Sequence, residues 1–414
     1  MPDSKRWTIL AVGTFSQAAT CSFLYGVPML VPALRHDEGL SLLGASVLVS
    51  APMVGLLLTL IAWGALADRR GERAVIASGV GLSAVLLAIA AVVPGVVATA
   101  LLLALAGAAG ASVNAASGRV VMGWFPVHER GLAMGTRQTA QPLGVALASL
   151  ALPPLATAVG ARAALLFPAA LCALAAGAVW LLVADPPRPD RPAGSPAPAA
   201  APSPYRGSRQ LARVHLSSSL LVVPQFAVAT FTLVYLVGER GWDSAAAGRL
   251  IFAFQLLGAA GRIATGIWSD RVGSRLRPMR QLAMASAVLM AALAIGAATH
   301  SVLIIAVFGL AAVVTVADNG LGYTSVAELA GVEWSGRALG VQNTAQNLTA
   351  VITAPVLAAI IGDSRYALAF AVVTALPVVA IATTPVRAEQ RHDAAGAASR
   401  DQDAAPTGAA GGPN

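Results

Sequence analysis

The chain has 414 residues, of which 57% are hydrophobic and only 11% are charged. Soluble globular domains carry about 25% Asp, Glu, Lys and Arg, so soluble enzymes, disordered proteins and nucleic-acid modules fit this composition poorly. The net charge of +8 does not indicate a nucleic-acid partner, because the arginines stand singly or in short clusters between apolar stretches. The two cysteines, Cys21 and Cys172, lie inside apolar segments, so we expect neither a disulfide framework nor a metal site. The composition predicts a protein of the lipid bilayer.

Twelve apolar segments are long enough to cross a membrane, since a helix needs about 20 residues to traverse ~30 Å of hydrocarbon. We number them spans 1 to 12, and their approximate bounds are 8–33, 41–66, 74–93, 97–123, 131–157, 161–183, 213–238, 244–268, 280–298, 301–327, 337–361 and 365–385. The predicted organisation is an N-terminal six-helix bundle over 1–183, a Pro- and Ala-rich cytoplasmic linker over 184–212, a C-terminal six-helix bundle over 213–386 and a disordered cytoplasmic tail over 387–414. The predicted fold class is an all-α integral membrane protein.

Lys and Arg are spread unevenly over the loops between these spans. Of the 27, we assign 19 to the two termini, the linker and the loops after the even-numbered spans, and five to the alternate loops. The positive-inside rule therefore predicts that both termini and the linker lie in the cytoplasm. The remaining three, Arg119, Arg137 and Arg262, fall within spans.

An internal repeat relates the two halves. The string GALADRRG after span 2 matches GIWSDRVG after span 8, and GTRQTAQPL in span 5 matches GVQNTAQNL in span 11. Repeats of this kind place a substrate site near the bilayer midplane between the halves. The matched positions of the two loop motifs are Gly64, Asp68, Arg69 and Gly71 in the first half and Gly266, Asp270, Arg271 and Gly273 in the second.

The G-x-x-x-D-R-x-G pattern, its echo, the twelve spans and the central loop together resemble the major facilitator superfamily (MFS). The resemblance implies two pseudo-symmetric six-helix bundles that rock about a central cavity, which is transport by alternating access without a cofactor or a metal. In this superfamily an arginine and an acid near the signature loops commonly pair with them and latch one state. Arg119 and Glu328 are the candidates here, although Gly123 stands at the usual acid position in the first half.

Arg262 lies eight residues before Asp270, about 12 Å along span 8 from the loop. A charge at that depth costs at least ~2.5–3.5 kcal/mol unless it faces a cavity or a partner. The pattern Arg262-x-x-x-Gly266-x-x-x-Asp270 resembles the eighth helix of monocarboxylate and oxalate–formate type carriers, in which that arginine binds a carboxylate. The alternative is an internal ion pair that only ties helices together.

Asp318 is the one acid deep within a predicted span, ten residues before Glu328 in span 10 and at a depth similar to that of Arg262. Opposite charges that are buried together favour pairing. We hypothesise that the two side chains pair in the empty site, that an anionic substrate competes for Arg262, and that Asp318 then takes a proton. A permanent structural pair is the alternative.

Polar side chains in apolar helices should face protein or a water-filled cavity rather than lipid. Arg137 and Gln141 share one face of span 5, and Gln342 and Gln346 repeat that spacing in span 11. Interhelical hydrogen bonding explains these stripes as well as substrate contact does. Further candidates for the cavity lining are Asn114, Asn319, Tyr25, Gln17, Gln225, Gln255 and Tyr323.

Three buried arginines against one deep acid leave an excess of positive charge in a low-dielectric protein, and such a site attracts anions. We therefore predict a monomeric, proton-coupled transporter of a small organic anion, most simply a carboxylate, in the cytoplasmic membrane.

Other functions fit the sequence less well. An MFS exporter of drugs or secondary metabolites is the alternative within transport, although AQPLGVA in span 5 fits the G-P-x-x-G-G pattern of drug–proton antiporters poorly. A non-transporting membrane receptor is disfavoured by the buried charges and the matching halves. An enzyme is not expected, since the five histidines lie at loops or span ends and no phosphate loop or metal-ligand spacing is present.

Overall fold

The computed structural model describes residues 3–40, 42–186, 203–206, 208–242, 244–331, 333–362, 364–386 and 389. Within these residues the regular structure is helical, without a β-strand. The spans of the first half are Asp3–Leu24, Leu42–Arg70, Glu72–Val92, Val96–Trp124, Arg130–Gln138 with Ala140–Val159, and Leu166–Leu182. Those of the second half are Gln210–Val234, Ser244–Val272, Leu276–Ala298, Ile304–Ala317 with Asn319–Ala330, Ser335–Ile361, and Tyr366–Thr383.

Eleven helices among the described residues are long and apolar enough to cross a membrane. The helix of span 1 is 22 residues long, but its polar side chains lower its hydropathy. Because Gln17, Thr20 and Ser22 are buried inside the protein, they do not meet lipid, and span 1 completes the set of twelve. The predicted all-α fold with twelve spans in two six-helix halves is confirmed.

The outer surface of the helices is apolar. Leu58, Leu150 and Leu181, for example, are 79%, 76% and 79% exposed. Soluble proteins rarely expose so large an apolar surface to water. Inside the first half, Phe23, Leu60 and Leu87 pack in a continuous apolar core. Apolar residues thus cover both the core and the outer surface, as expected of a multi-pass membrane protein.

Spans 5 and 10 are each interrupted once, at Thr139 and at Asp318. Both residues keep right-handed helical angles, with φ and ψ of −70° and −13° at Thr139 and of −74° and −20° at Asp318. The chain direction is therefore kept while the backbone hydrogen bonding changes locally. Irregular backbone within a membrane span is stable only where protein or a cavity surrounds it, and both residues are buried.

Parts of the predicted organisation lie outside the described residues. These are residues 187–202 and 207 of the linker, and all of the tail after Val386 except Glu389. The linker and the tail therefore stay predictions.

Candidate functional site

A polar cavity lies between the two halves. It consists of two lobes, which share Gln141, Gln225 and Phe226. The lobe that we call the amide lobe is lined by Gln17, Cys21, Tyr25, Asn114, Gln138, Gln141, Val222, Gln225, Phe226, Asn319, Tyr323, Asn343, Gln346, Asn347 and Ala350. The arginine lobe is lined by Gln141, Pro142, Val145, Gln225, Phe226, Ala229, Gln255, Gly258, Ala259, Arg262 and Val316.

The structure gathers eight of the nine predicted substrate-binding residues around this cavity. They are Arg262, Asn114, Asn319, Tyr25, Gln141, Gln346, Gln255 and Tyr323. Their positions fit a common site, whereas their role in binding stays a prediction. The ninth residue, Arg137, lines neither lobe.

Arg262 is the one cation among the described residues that line the two lobes, and its side chain is buried. Its Nη1 donates to the backbone carbonyl of Gln138, at 2.5 Å, and so joins span 8 to span 5 of the other half. Its Nε is buried without a hydrogen-bond partner in the described protein. One donor of this guanidinium therefore ties the halves together, and another is unsatisfied beside the cavity.

The direct ion pair expected between Arg262 and Asp318 is not formed. No contact of 4.0 Å or less joins their charged atoms in the described structure, because Arg262 is drawn to the carbonyl of Gln138 instead. Asp318 lies at the interruption of span 10, is buried, and lines neither lobe.

Arg137 is fully buried and satisfied by its neighbours. Its Nε donates to Ser117 Oγ (2.7 Å), its Nη1 to Gln138 Oε1 (3.0 Å) and its Nη2 to the carbonyl of Asn114 (3.2 Å). Its guanidinium carbon lies 5.4 Å from the centre of the Tyr323 ring. Contact of Arg137 with substrate stays a prediction. In this structure Arg137 lies behind the cavity lining and holds Asn114, Gln138 and Tyr323, which line the cavity.

Hydrogen bonds between side chains fix the geometry of the amide lobe. The bonds run from Gln17 Nε2 to Asn114 Oδ1 (3.2 Å), from Asn319 Nδ2 to Gln225 Oε1 (3.0 Å), from Tyr323 OH to Asn343 Oδ1 (2.7 Å) and from Tyr25 OH to Asn347 Oδ1 (3.3 Å). The last of these joins the two halves. Gln346 Nε2, by contrast, is buried and has no partner in the described protein.

Sequence reasoning did not select Gln138 and Phe226 for this lining. Gln138 carried a usable signal, because it stands three residues before Gln141 and thus on the same face of span 5. Phe226 carried none, since an aromatic residue in an apolar span looks the same whether it faces lipid, core or cavity.

We call the end of the molecule that carries Asp68 and Asp270 the motif face. In the first half, Asp68 forms an ion pair with Arg119 at 2.7 Å, and Arg119 Nε also lies 2.8 Å from Glu72. Asp68 in addition accepts hydrogen bonds from the backbone N–H groups of Gly336 (3.0 Å) and Arg337 (3.2 Å), at the start of span 11. The predicted partnership of Arg119 with the first motif is present, and Glu72 supplies the acid that Gly123 cannot.

The second half repeats this arrangement. Asp270 accepts hydrogen bonds from the backbone N–H groups of Gly131 and Leu132, both at 2.8 Å, at the start of span 5. Asp270 pairs with Arg275 at 2.5 Å, and Arg275 lies 3.5 Å from Glu328. Each motif aspartate therefore binds the beginning of a helix in the opposite half, where the helix dipole favours a negative charge.

The glycines of the motifs have two different structural roles. A Cβ on Gly64 or Gly266 would lie 2.3 or 2.2 Å from a backbone oxygen of the facing half, so close contact of the halves requires glycine at both positions. Gly71 and Gly273 have φ of +92° and +64°, which glycine adopts readily. Arg69 and Arg271, which the motif would include in a latch, are exposed and form no ion pair among the described residues.

Carboxylates from beyond spans 6 and 12 cap the helices that follow the two motifs. Asp185 Oδ1 accepts the backbone N–H of Glu72 at 2.8 Å, at the start of span 3. Glu389 accepts the backbone N–H of Arg275 at 2.7 Å, directly before span 9. Satisfying such N–H groups stabilises a helix end.

Comparison with known proteins identifies close relatives. A family model described as Major Facilitator Superfamily matches residues 10–354. Proteins from two strains of Mycobacterium tuberculosis, both named as uncharacterised MFS-type transporters, are 45% identical to this chain over 386 residues, covering 92% of it and 85% of theirs.

Solved structures share the fold at low identity. The human organic anion transporter MFSD10 (TETRAN) is 18% identical with a TM-score of 0.70, covering 93% of this chain and all of that one. The proton:xylose symporter XylE is 14% identical with a TM-score of 0.70, covering 92% and 95% of the two chains. The Escherichia coli fucose:proton symporter FucP is 16% identical with a TM-score of 0.67, covering 90% and 97%.

Proposed function

The chain belongs to the major facilitator superfamily and is a multi-pass membrane transporter, and from this premise we propose that it carries a small organic anion, most simply a carboxylate, across the cell membrane by alternating access. The observation that carries the proposal is Arg262. It is 5% exposed, lines the cavity between the halves, and has an unpartnered Nε and no acidic contact within 4.0 Å among the described residues. A buried cation in this condition attracts an anionic ligand.

The contacts of the motif face support the alternating-access part of the proposal. Asp68 and Asp270 hold the halves together at this face through the starts of spans 11 and 5. We place the motif face, both termini and the linker in the cytoplasm, because Lys and Arg are concentrated in these segments. On this orientation the structure has its cytoplasmic side closed, and transport requires these contacts to break in each cycle.

Asp318 is our candidate for proton coupling. It is buried at the interruption of span 10, in the same half as Arg262, and does not touch it. An anion bound at Arg262 would cancel the positive charge that favours an ionised Asp318. Anion and proton would therefore bind together, which is the requirement for symport.

The substrate proposal is tested by thermal-shift screening of the purified protein against a panel of small carboxylates. Binding at 100 times the dissociation constant would stabilise the protein by about 2.7 kcal/mol, and we expect Arg262→Ala to abolish this gain. Arg249→Ala is the matched control, because Arg249 lies on the same helix of span 8 but is exposed. Stabilisation by cationic compounds alone would favour the exporter instead.

Proton coupling is tested with Asp318→Asn in proteoliposomes. We expect the variant to lose uphill uptake driven by a proton gradient while retaining exchange of substrate for substrate. Uphill uptake equal to that of the unmodified protein would exclude Asp318 as the coupling residue.

A further inference from the structure

The two lobes of the cavity differ in chemistry, and the difference points to a more specific ligand. The polar lining of the amide lobe consists mainly of primary amides and phenols, whereas the arginine lobe has largely apolar walls around Arg262 and three glutamines. None of the described residues lining either lobe is acidic. From this arrangement, and resting on the proposed function, we infer that the substrate is a polyhydroxylated monocarboxylate, that is, a sugar acid or a hydroxy acid of similar length.

The first step of the argument concerns unsatisfied donors. Arg262, which lines the arginine lobe, is 5% exposed, and Gln346, which lines the amide lobe, is 7% exposed. Arg262 Nε and Gln346 Nε2 are both buried, and neither has a hydrogen-bond partner in the described protein. A buried donor without an acceptor costs free energy, so a ligand that satisfies both is favoured. One donor is charged and prefers an anionic oxygen, whereas the other is neutral and accepts a hydroxyl oxygen.

The second step concerns the match between amides and hydroxyls. A primary amide both donates and accepts hydrogen bonds, and a hydroxyl group does the same. Several of the lining amides are already oriented by hydrogen bonds to one another, as in the pairs of Gln17 with Asn114 and Asn319 with Gln225. Because these neutral donors and acceptors are already held in place, a chain of hydroxyl groups can bind to them without the cost of ordering the side chains.

Three simpler ligand classes each leave part of the cavity unsatisfied. An aliphatic monocarboxylate would place its apolar tail against the amides and leave Gln346 without an acceptor. A dicarboxylate would bury its second charge where only neutral groups line the wall, which is costly. A neutral polyol would leave the buried charge of Arg262 without a counterion. A hydroxylated monocarboxylate avoids all three costs.

The test compares three six-carbon probes on the purified full-length protein: D-gluconate, hexanoate and D-sorbitol. The affinity of each is measured by calorimetry. We expect D-gluconate to bind at least ten-fold more tightly than either hexanoate, which lacks the hydroxyls, or D-sorbitol, which lacks the charge. Because the comparison uses the unmodified protein, it does not depend on any variant folding.

Two variants assign the preference to residues. Gln346→Leu should bring D-gluconate and hexanoate to within about three-fold of each other, while Arg262→Ala should weaken both more than ten-fold. Equal affinity for hexanoate and D-gluconate, with both dependent on Arg262, would overturn the inference and leave the proposed function standing. Binding of D-sorbitol as tight as that of D-gluconate would overturn the inference as well. If none of the carboxylates tested binds, the proposed function itself is overturned.

Discussion

The two halves of this transporter hold their motif aspartates in the same geometry but with the neighbouring charges exchanged. In the first half the acid, Glu72, begins span 3 and the cation, Arg119, lies on span 4. In the second half the cation, Arg275, directly precedes span 9 and the acid, Glu328, lies on span 10. Both halves thus set an aspartate at the start of a facing helix with a cation beside it, and the cation comes from a different supporting element in each half.

The halves also differ in how deeply these charges are buried. The side chains of Arg119 and Glu72 are 6% and 0% exposed, whereas those of Arg275 and Glu328 are 6% and 23% exposed. Water can therefore partly replace a lost partner in the second half but not in the first. Replacing one arginine in each half by an uncharged residue, and comparing the losses in free energy of unfolding, measures this difference.

The largest effect is expected for Arg119→Met, which leaves Glu72 buried without its cation and removes the shorter of the two ion pairs of Asp68. Breaking a buried pair from one side costs about 3–5 kcal/mol, and we expect a loss of this size in denaturant unfolding. Arg275→Met should cost about 1–3 kcal/mol, since Glu328 is 23% exposed and keeps a second cation, Arg130, at 3.5 Å.

A double variant separates charge from packing. Arg119→Met combined with Glu72→Gln should recover part of the loss, because neutralising the second partner removes an uncompensated charge. Equal losses in Arg119→Met and Arg275→Met would contradict the difference between the halves.

A smaller effect is expected for the motif aspartates themselves. Asp68→Asn or Asp270→Asn replaces hydrogen bonds to a charged acceptor, worth about 1.5–3 kcal/mol, by weaker neutral ones, so the motif face should open about ten-fold more often. Cys21 lines the cavity and reports this opening through its alkylation by a membrane-impermeant reagent added at the motif face. Replacing the buried Cys172 by Ala removes the other thiol. An unchanged rate in both variants would show that these bonds do not control closure.

The glycines at the contact between the halves provide a symmetric test. Gly64→Ala and Gly266→Ala should each destabilise the closed motif face by about 1–3 kcal/mol, because the added Cβ would meet a backbone oxygen that cannot move aside. Since both contacts are of similar length, the two variants should speed alkylation of Cys21 equally. Gly177→Ala is the control, because a Cβ there meets nothing within 4 Å. A response of only one half would show that closure is asymmetric.

The smallest effect is expected at the opposite end of the first half, where Asp37 joins two loops of the same half. The hydrogen bond from the N–H of Ala161 at 2.9 Å, aided by His36, lowers the pKa of this carboxyl below its usual range. A lowered pKa stabilises the fold above the unfolded value of about 3.9, and this contribution disappears as the pH falls through the folded value. Melting temperatures between about pH 6 and pH 3 should therefore fall slightly more for the unmodified protein than for Asp37→Asn.

The fold was largely predictable because a bilayer imposes a length and an apolar composition on every span. What the sequence did not predict is local: the interruption of span 10 at Asp318, and the short helix Val31–Asp37 that follows span 1. Neither changes the run of apolar residues, so neither leaves a signal in hydropathy. The loop motifs predicted the contact between the halves, but not the capping of Glu72 by the distant Asp185.

The lining of the cavity was predictable because polar side chains within a span must avoid lipid. The sequence did not, however, allow us to predict which of the buried charges lines the cavity. Depth along a helix follows from residue count, and on that basis Arg137 looked like a substrate contact, and Arg262 looked like a partner of Asp318. The rotation of each helix about its axis decides which side chains face the cavity. This rotation depends on packing between distant segments, as in the hydrogen bond from Arg262 to the carbonyl of Gln138.

The position of Glu389 bears on how this protein can be handled. It lies beyond the final span yet accepts hydrogen bonds from Ser274 Oγ and from the N–H groups of Arg275 and Leu276. A fluorescent reporter or purification tag joined directly after Val386 would delete that acceptor and loosen the loop that carries the second motif. The same tag attached a few residues past Glu389 would leave the loop intact, so the choice of fusion point decides whether the engineered protein still reports native behaviour.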